Sequence, residues 1–160
     1  RFGDGVVELV GAAAPQTVTN FKKLADDGIY NRTTFHRVIP DFIIQGGDPN
    51  TKDGPRSTHG EGGPGYRLRS EIELPHKRGA MAAARLPDDV NPLRHSNGSQ
   101  FYICVVDAPY LDGKNTVFGN VIKGMEVVDK VSSVPRDENG NPLRPVPMDI
   151  KVIKKVDWEK

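Results

Sequence analysis

At 160 residues, with 36% hydrophobic and 27% charged positions, the chain has the size of one ordinary domain and can bury a core without disulfides or metal. Its 22 Lys and Arg against 21 Asp and Glu leave a net charge of +1, which argues against a broad electrostatic grip on nucleic acid or an anionic membrane. No apolar run is long enough to span a bilayer, and the single cysteine, Cys104, rules out an intrachain disulfide.

From Arg1 onward no charged stretch is followed by an apolar one, so no signal peptide is expected in this segment. The cytoplasm is favoured, with an exported or anchored precursor left open. A β-rich stretch at 6–10 predicts the first strand, cut short by its nearness to Arg1. Residues 15–27 predict a helix: Val18, Phe21, Leu24 and Ala25 form one apolar stripe, Pro15 suits the first turn and Gly28 the stop. Strands are expected at 33–39 and 42–45, followed by a loop over 48–66 rich in Gly, Pro, Asp and Asn. A strand at 79–84 is interrupted from its partner at 100–106 by a second loop, 85–97. The chain then predicts a strand at 116–121, a helix at 124–133 with Met125, Val128 and Val131 on one side, and a last strand at 150–156. Many strands with two helices predict a mainly β domain, and a closed barrel capped by the helices would remove exposed sheet edges.

The most informative stretch is Phe35-His36-Arg37-Val38-Ile39-Pro40-Asp41-Phe42-Ile43-Ile44-Gln45-Gly46-Gly47-Asp48. Strand alternation places Arg37 with Phe35 and Ile39 on one face and turns His36 to the other. An arginine among apolar residues is either a surface residue with a snorkelling stem or a group with a task.

That stretch resembles the signature of cyclophilins. So do Asn97-Gly98-Ser99-Gln100-Phe101-Tyr102-Ile103 and Leu111-Asp112-Gly113-Lys114 followed by Val117-Phe118-Gly119, in family order over nearly the whole chain. The resemblance implies a single domain over 1–160, an eight-stranded antiparallel β-barrel capped by two helices. It also implies peptidyl-prolyl cis-trans isomerase activity in a groove on the barrel's outside. Arg37 matches the catalytic arginine. Phe42, Ile43, Tyr102 and Leu111 match the pocket for the proline ring, and Gln45 the glutamine that bonds the substrate backbone and orients the arginine. Ala82 and Ala83 match positions lining the peptide groove, the contact at Ala83 being made by backbone, and Gln100 matches a supporting glutamine nearby. No cofactor is implied. The partners implied are proline-containing peptides and protein clients, met by a monomer.

Four positions depart from the commonest family pattern: Ile43 for methionine, Tyr102 for phenylalanine, Tyr110 for tryptophan and Asn115 for histidine. Tyr102 keeps the ring but adds a hydroxyl that needs a partner. Asn115 bonds hydrogen but cannot switch charge near neutral pH. Tyr110 implies weak binding of the inhibitor cyclosporin. The loop 85–96 is longer than in compact members.

Other signals are weaker. Gly60-Glu61-Gly62-Gly63-Pro64-Gly65 lacks the ending of a phosphate loop. His36, His59, His76 and His95 have no zinc spacing, and Ser99 lacks a nucleophile elbow, so neither a metal nor a hydrolase is expected. A non-catalytic module that binds proline peptides as scaffold or chaperone remains the alternative; Arg37 together with Gln45 favours the enzyme.

Overall fold

The computed structural model describes residues 2–155. Six strands form one antiparallel sheet: β1 (Val6–Leu9), β2 (Arg37–Ile39), β3 (Ile43–Gly46), β4 (Ala80–Ala83), β5 (Phe101–Cys104) and β6 (Val117–Lys123), in spatial order β1-β6-β4-β5-β3-β2. Three helices accompany them: α1 (Pro15–Asp26), α2 (Asn50–Asp53) and α3 (Met125–Ser132).

Two expectations are corrected here. The sheet has six strands rather than eight and does not close, β1 and β2 being its edges. The last strand expected, 150–156, is absent over 150–155, and Val156 lies outside the described residues. The physical reason lies just upstream. Pro142, Pro145 and Pro147 remove three backbone donors from the segment that would continue the wall, so no regular ladder can run through it. What survives is local: Arg32 N–H donates to Met148 O, Met148 N–H to Thr33 O and Phe35 N–H to Val146 O, with a single bridge at Thr34 and Pro147. The loop over 48–66 also holds α2 and one 3-10 turn, Arg56–Thr58.

Alternation along the strands splits the apolar residues into two clusters. Val38, Ile44, Met81, Ala83, Phe101 and Ile103 join the main core, to which α1 gives Val18, Phe21 and Leu24 and α3 gives Val128 and Val131. The intervening residues Ile43, Ala80, Ala82, Tyr102, Cys104 and Val117 form a second cluster, against which Ile39, Phe42 and Leu111 pack. Aromatic rings knit the main core. Phe101 meets Phe21 and Tyr30 edge-on at 5.7 Å each, and Phe35 at 6.3 Å.

Helix α1 is preceded by Ala14, which has no capping side chain, and begins with Pro15 in the first turn, where a missing N–H costs nothing. Its free amides are met from far along the chain. The Glu71 carboxylate accepts Gln16 N–H at 3.2 Å, Thr17 N–H at 2.7 Å and the Thr17 hydroxyl at 2.7 Å.

The register then sets the site. Arg37 stands opposite Gln45, Gln45 opposite Tyr102, Tyr102 opposite Ala82, and Ala82 opposite Val117, one rung across five strands. Directly paired residues share a face, so this rung brings a cation, an amide and a phenol together on the side of the second cluster. Pro40 and Asp41, the latter with φ 61°, make the tight β2–β3 turn, closed by Phe42 N–H donating to Ile39 O at 3.1 Å.

Candidate active site

A groove of about 660 Å³ lies on that side. Its apolar end is lined by Phe42, Ile43, Tyr102 and Leu111, with Arg37 and Gln45 at its edge and Asn115 on the far rim. Arg37 is exposed, and its guanidinium Nη1 donates to Gln45 Oε1 over a long 3.4 Å. Gln45 Nε2 in turn donates to the Gln100 Oε1 at 3.1 Å. Gln100 is buried and forks its own Nε2 to the Gly60 and Gly62 carbonyls, at 2.9 and 2.7 Å. The arginine is therefore held lightly at the end of a relay whose other end is fixed in the 60–62 loop.

That loop is fixed by Asp48, fully buried, whose Oδ2 accepts Gly60 N–H and Gly62 N–H while Oδ1 accepts Asn50 N–H. A Cβ on Gly62 would stand 2.2 Å from Asp48 Oδ1, so only glycine permits this approach. The glycine-rich stretch, expected from the sequence only as part of the 48–66 loop, is thus the strut behind the glutamine relay.

The Tyr102 hydroxyl finds its partner below the groove floor, bonding His76 Nε2 at 2.8 Å. His76 Nδ1 faces Asp112 Oδ1 at 3.1 Å, which also accepts the His76 backbone N–H at 2.6 Å. The carboxylate can only accept, so Nδ1 carries the proton and Nε2 accepts from the phenol. The His76 carbonyl completes the clamp by accepting Ala108 N–H at 2.9 Å. Through His76 the floor strand and both ends of the segment bearing Leu111 are tied together. Burial lowers the His76 pKa against the opposing pull of Asp112. Replacing Tyr102 with phenylalanine leaves Nε2 buried without a donor. The expected result is a loss of about 1–3 kcal/mol in urea unfolding, with the pocket ring still in place.

The remaining residues singled out from the sequence are placed as follows. Ala82 is fully buried beneath the groove. Ala83 turns its methyl to the main core, while its carbonyl accepts Asn115 Nδ2–H at 3.0 Å. Tyr110 is exposed and stacks on Phe42 with ring centres 5.9 Å apart. Cys104 is buried, and desolvation pushes its thiol up to about 11, which suits a packing role.

One expectation about phase is corrected. Strand β2 begins only at Arg37, so Phe35 does not share Arg37's face but packs into the main core on Phe101. His36, expected to turn away, lines the groove instead. Its ring is buried with neither nitrogen bonded, and desolvation lowers its pKa to about 4 against the pull of Asp48. The polar end of the groove was not foreseen. It is made by Arg56, His59, Asp137 and Asn141, in which Arg56 bonds Asp137 Oδ2 at 3.0 Å and Asn141 O at 3.2 Å. Residues eighty positions apart give no local pattern from which to read such a pairing.

The family model for "Cyclophilin type peptidyl-prolyl cis-trans isomerase/CLD" matches residues 1–152. A Neurospora crassa protein named peptidyl-prolyl cis-trans isomerase-like 1 is 40% identical over 95% of this chain and 86% of its own. Peptidyl-prolyl cis-trans isomerase B of Bacillus subtilis is 43% identical over 79% of this chain and 81% of its own. Among solved structures, a Cryptosporidium parvum cyclophilin type isomerase crystallised in the presence of the dipeptide Ala-Pro superimposes with a TM-score of 0.81. It has 32% identity and covers 93% of this chain and 91% of that one. An open six-stranded antiparallel sheet with a cationic groove on one face is the class that geometry defines. The chain belongs to the cyclophilin-type peptidyl-prolyl cis-trans isomerases.

Proposed function

We propose that this chain, acting as one monomeric domain, turns X-Pro peptide bonds with Arg37 as its catalytic residue. The observation that carries the reading is an exposed guanidinium beside an apolar niche. The niche is formed by Phe42, Ile43, Tyr102 and Leu111, and Gln45 lies within reach of the same substrate. Rotation about a peptide C–N bond meets a barrier of about 18–20 kcal/mol because resonance gives it double-bond character. In the twisted transition state the prolyl nitrogen becomes pyramidal and gains a lone pair. A donor aimed at that nitrogen binds the twisted form better than either planar isomer, which is what lowers the barrier. Guanidinium suits the task because it stays charged and offers several donors in a rigid fork. The niche anchors the ring while the acyl side turns, and Gln45, already oriented by Gln100, costs little reorganisation. Ala82, Ala83, Gln100 and Asn115 act behind or beside the bound peptide, Gln100 by orienting Gln45 and Asn115 by holding the Ala83 carbonyl. Tyr110 is a smaller platform than an indole, so cyclosporin is expected to bind weakly.

Exchange magnetisation on a short Ala-Pro peptide separates the enzyme from a scaffold that only grips: accelerated cis-trans exchange supports the reading, and binding without acceleration rejects it. The pH dependence follows from the same site. Neither His nor carboxylate takes part in the step, so the rate is expected to be level between about pH 6 and 9. Stability behaves differently. The His36 pKa falls from the ordinary 6.5 to about 4 on folding, so the unfolded chain takes up the proton first. Its contribution is full above about pH 6.5 and is lost as pH falls toward 4, on the order of 3 kcal/mol in total. Urea midpoints at pH 7.5 and 4.5 for wild type and His36→Gln separate that loss from the one that His76 adds, and a bell-shaped rate profile on folded protein would reject the mechanism.

A further inference from the structure

We propose that the 85–96 loop extends the groove and takes apolar side chains that flank the proline of an unfolded polypeptide. The proposal rests on the isomerase reading above. Ala84 and Arg85 line the groove, and Leu86 follows them directly. The interior of the loop is filled by polar groups. Asn91 is buried, its Nδ2 donating to the Leu86 and His95 carbonyls at 3.3 and 2.8 Å and its Oδ1 accepting His95 N–H at 3.1 Å. Asp88 joins the two arginines, taking Arg85 Nη1 at 2.8 Å and Arg94 Nη2 at 3.0 Å. Both arginines then reach across to the groove's far rim: Arg85 Nε donates to Lys114 O and Arg94 Nη1 to Gly113 O, each at 2.6 Å, next to the lining residue Asn115.

With its inside occupied this way, the loop keeps its large apolar side chains outside. Leu86 is 45% exposed, Val90 61% and Leu93 70%. Among the described residues nine large hydrophobics are exposed, and three of them fall within positions 86–93 of the loop that leaves the groove at Arg85. Single exposed hydrophobics need no explanation, but several grouped on a pre-ordered loop mark a contact surface. Continuity with the groove names the occupant, because a chain whose proline sits in the niche is already held at the loop's first residues. Arg85 and Arg94, both paired to Asp88, are balanced in charge by Asp88 and Asp89 together, so the loop carries no net charge and favours apolar flanks over charged ones. In a folded client such flanks are buried, whereas an unfolded one presents them. A loop already fixed in place also loses little freedom on binding.

The test compares wild type with the triple variant Leu86→Ser, Val90→Ser, Leu93→Ser on two substrates. One is a short Ala-Pro tetrapeptide. The other is an unfolded protein whose refolding waits on one X-Pro bond flanked by apolar residues. The variant is expected to keep its tetrapeptide kcat/KM within twofold and to lose about tenfold on the protein, through KM. Equal rates on both substrates, or equal loss on both, overturn the loop's role while leaving the isomerase reading intact. A wild type inactive on the tetrapeptide overturns both. A dimer seen by sedimentation and abolished in the variant assigns the face to a second copy and also overturns the proposal. Val90→Ser and Leu93→Ser, singly, carry the same comparison if the triple variant loses cooperative unfolding.

Discussion

Replacing Arg37 with alanine is expected to lower kcat/KM for an X-Pro tetrapeptide by about 100- to 1000-fold without moving the unfolding midpoint. A single donor fixed on a developing charge contributes about 2.7–4 kcal/mol to a transition state, and each tenfold in rate corresponds to about 1.4 kcal/mol. The stability side follows from how lightly the residue is held. Arg37 is exposed, and among the described residues its side chain bonds only Gln45, over a long 3.4 Å, so truncation uncovers no buried partner there. Arg37→Lys is expected to recover little, because an ammonium on a flexible stem lacks the planar fork. A folded Arg37→Ala protein that still accelerates exchange as wild type does would remove the arginine from the mechanism.

Truncating Phe101 to alanine is expected to cost about 3–5 kcal/mol, the largest stability loss at any single position considered. The ring lies on β5 with only 3% of its surface exposed, edge-on to Phe21, Tyr30 and Phe35. Its loss leaves three aromatic edges without a face. It also undercuts the strand that carries Tyr102, one residue along and on the opposite side of the sheet. Against a typical total of about 5–15 kcal/mol, such a loss consumes a large share of the margin. Urea unfolding checks it, and a midpoint within error of wild type would show that the cluster relaxes to fill the gap.

Much of this architecture is legible in the chain itself, for identifiable reasons. The apolar stripe of α1 and the Val, Ile and Phe runs of β3, β5 and β6 state their period locally, and the order of the motifs states the family. Arg37, Ile43, Gln45 and Tyr102 are brought to one groove because the register of three strands aligns them, and Phe42 and Leu111 join from the turns beside them, although no single stretch announces that register. Three features resist reading. Closure of the barrel depends on long-range pairing that the prolines at 142, 145 and 147 prevent. The phase at Phe35 and His36 depends on where β2 begins, which the ring of Phe101 decides by offering Phe35 a place in the core. The Tyr102 hydroxyl visibly needs a partner, but His76 and Asp112 become that partner only once β5 and the 108–112 turn are folded against each other.

On the mechanism proposed above, the rung Arg37–Gln45–Tyr102–Ala82–Val117 ties catalytic competence to correct strand alignment. Sliding β2 by one residue would carry the guanidinium inward and push Val38 out to water, an exchange that penalises both ends of the displacement. With Arg37 in that role, turnover per molecule is expected to double as a gauge of how faithfully a refolded batch has annealed, since mispaired chains would stay silent.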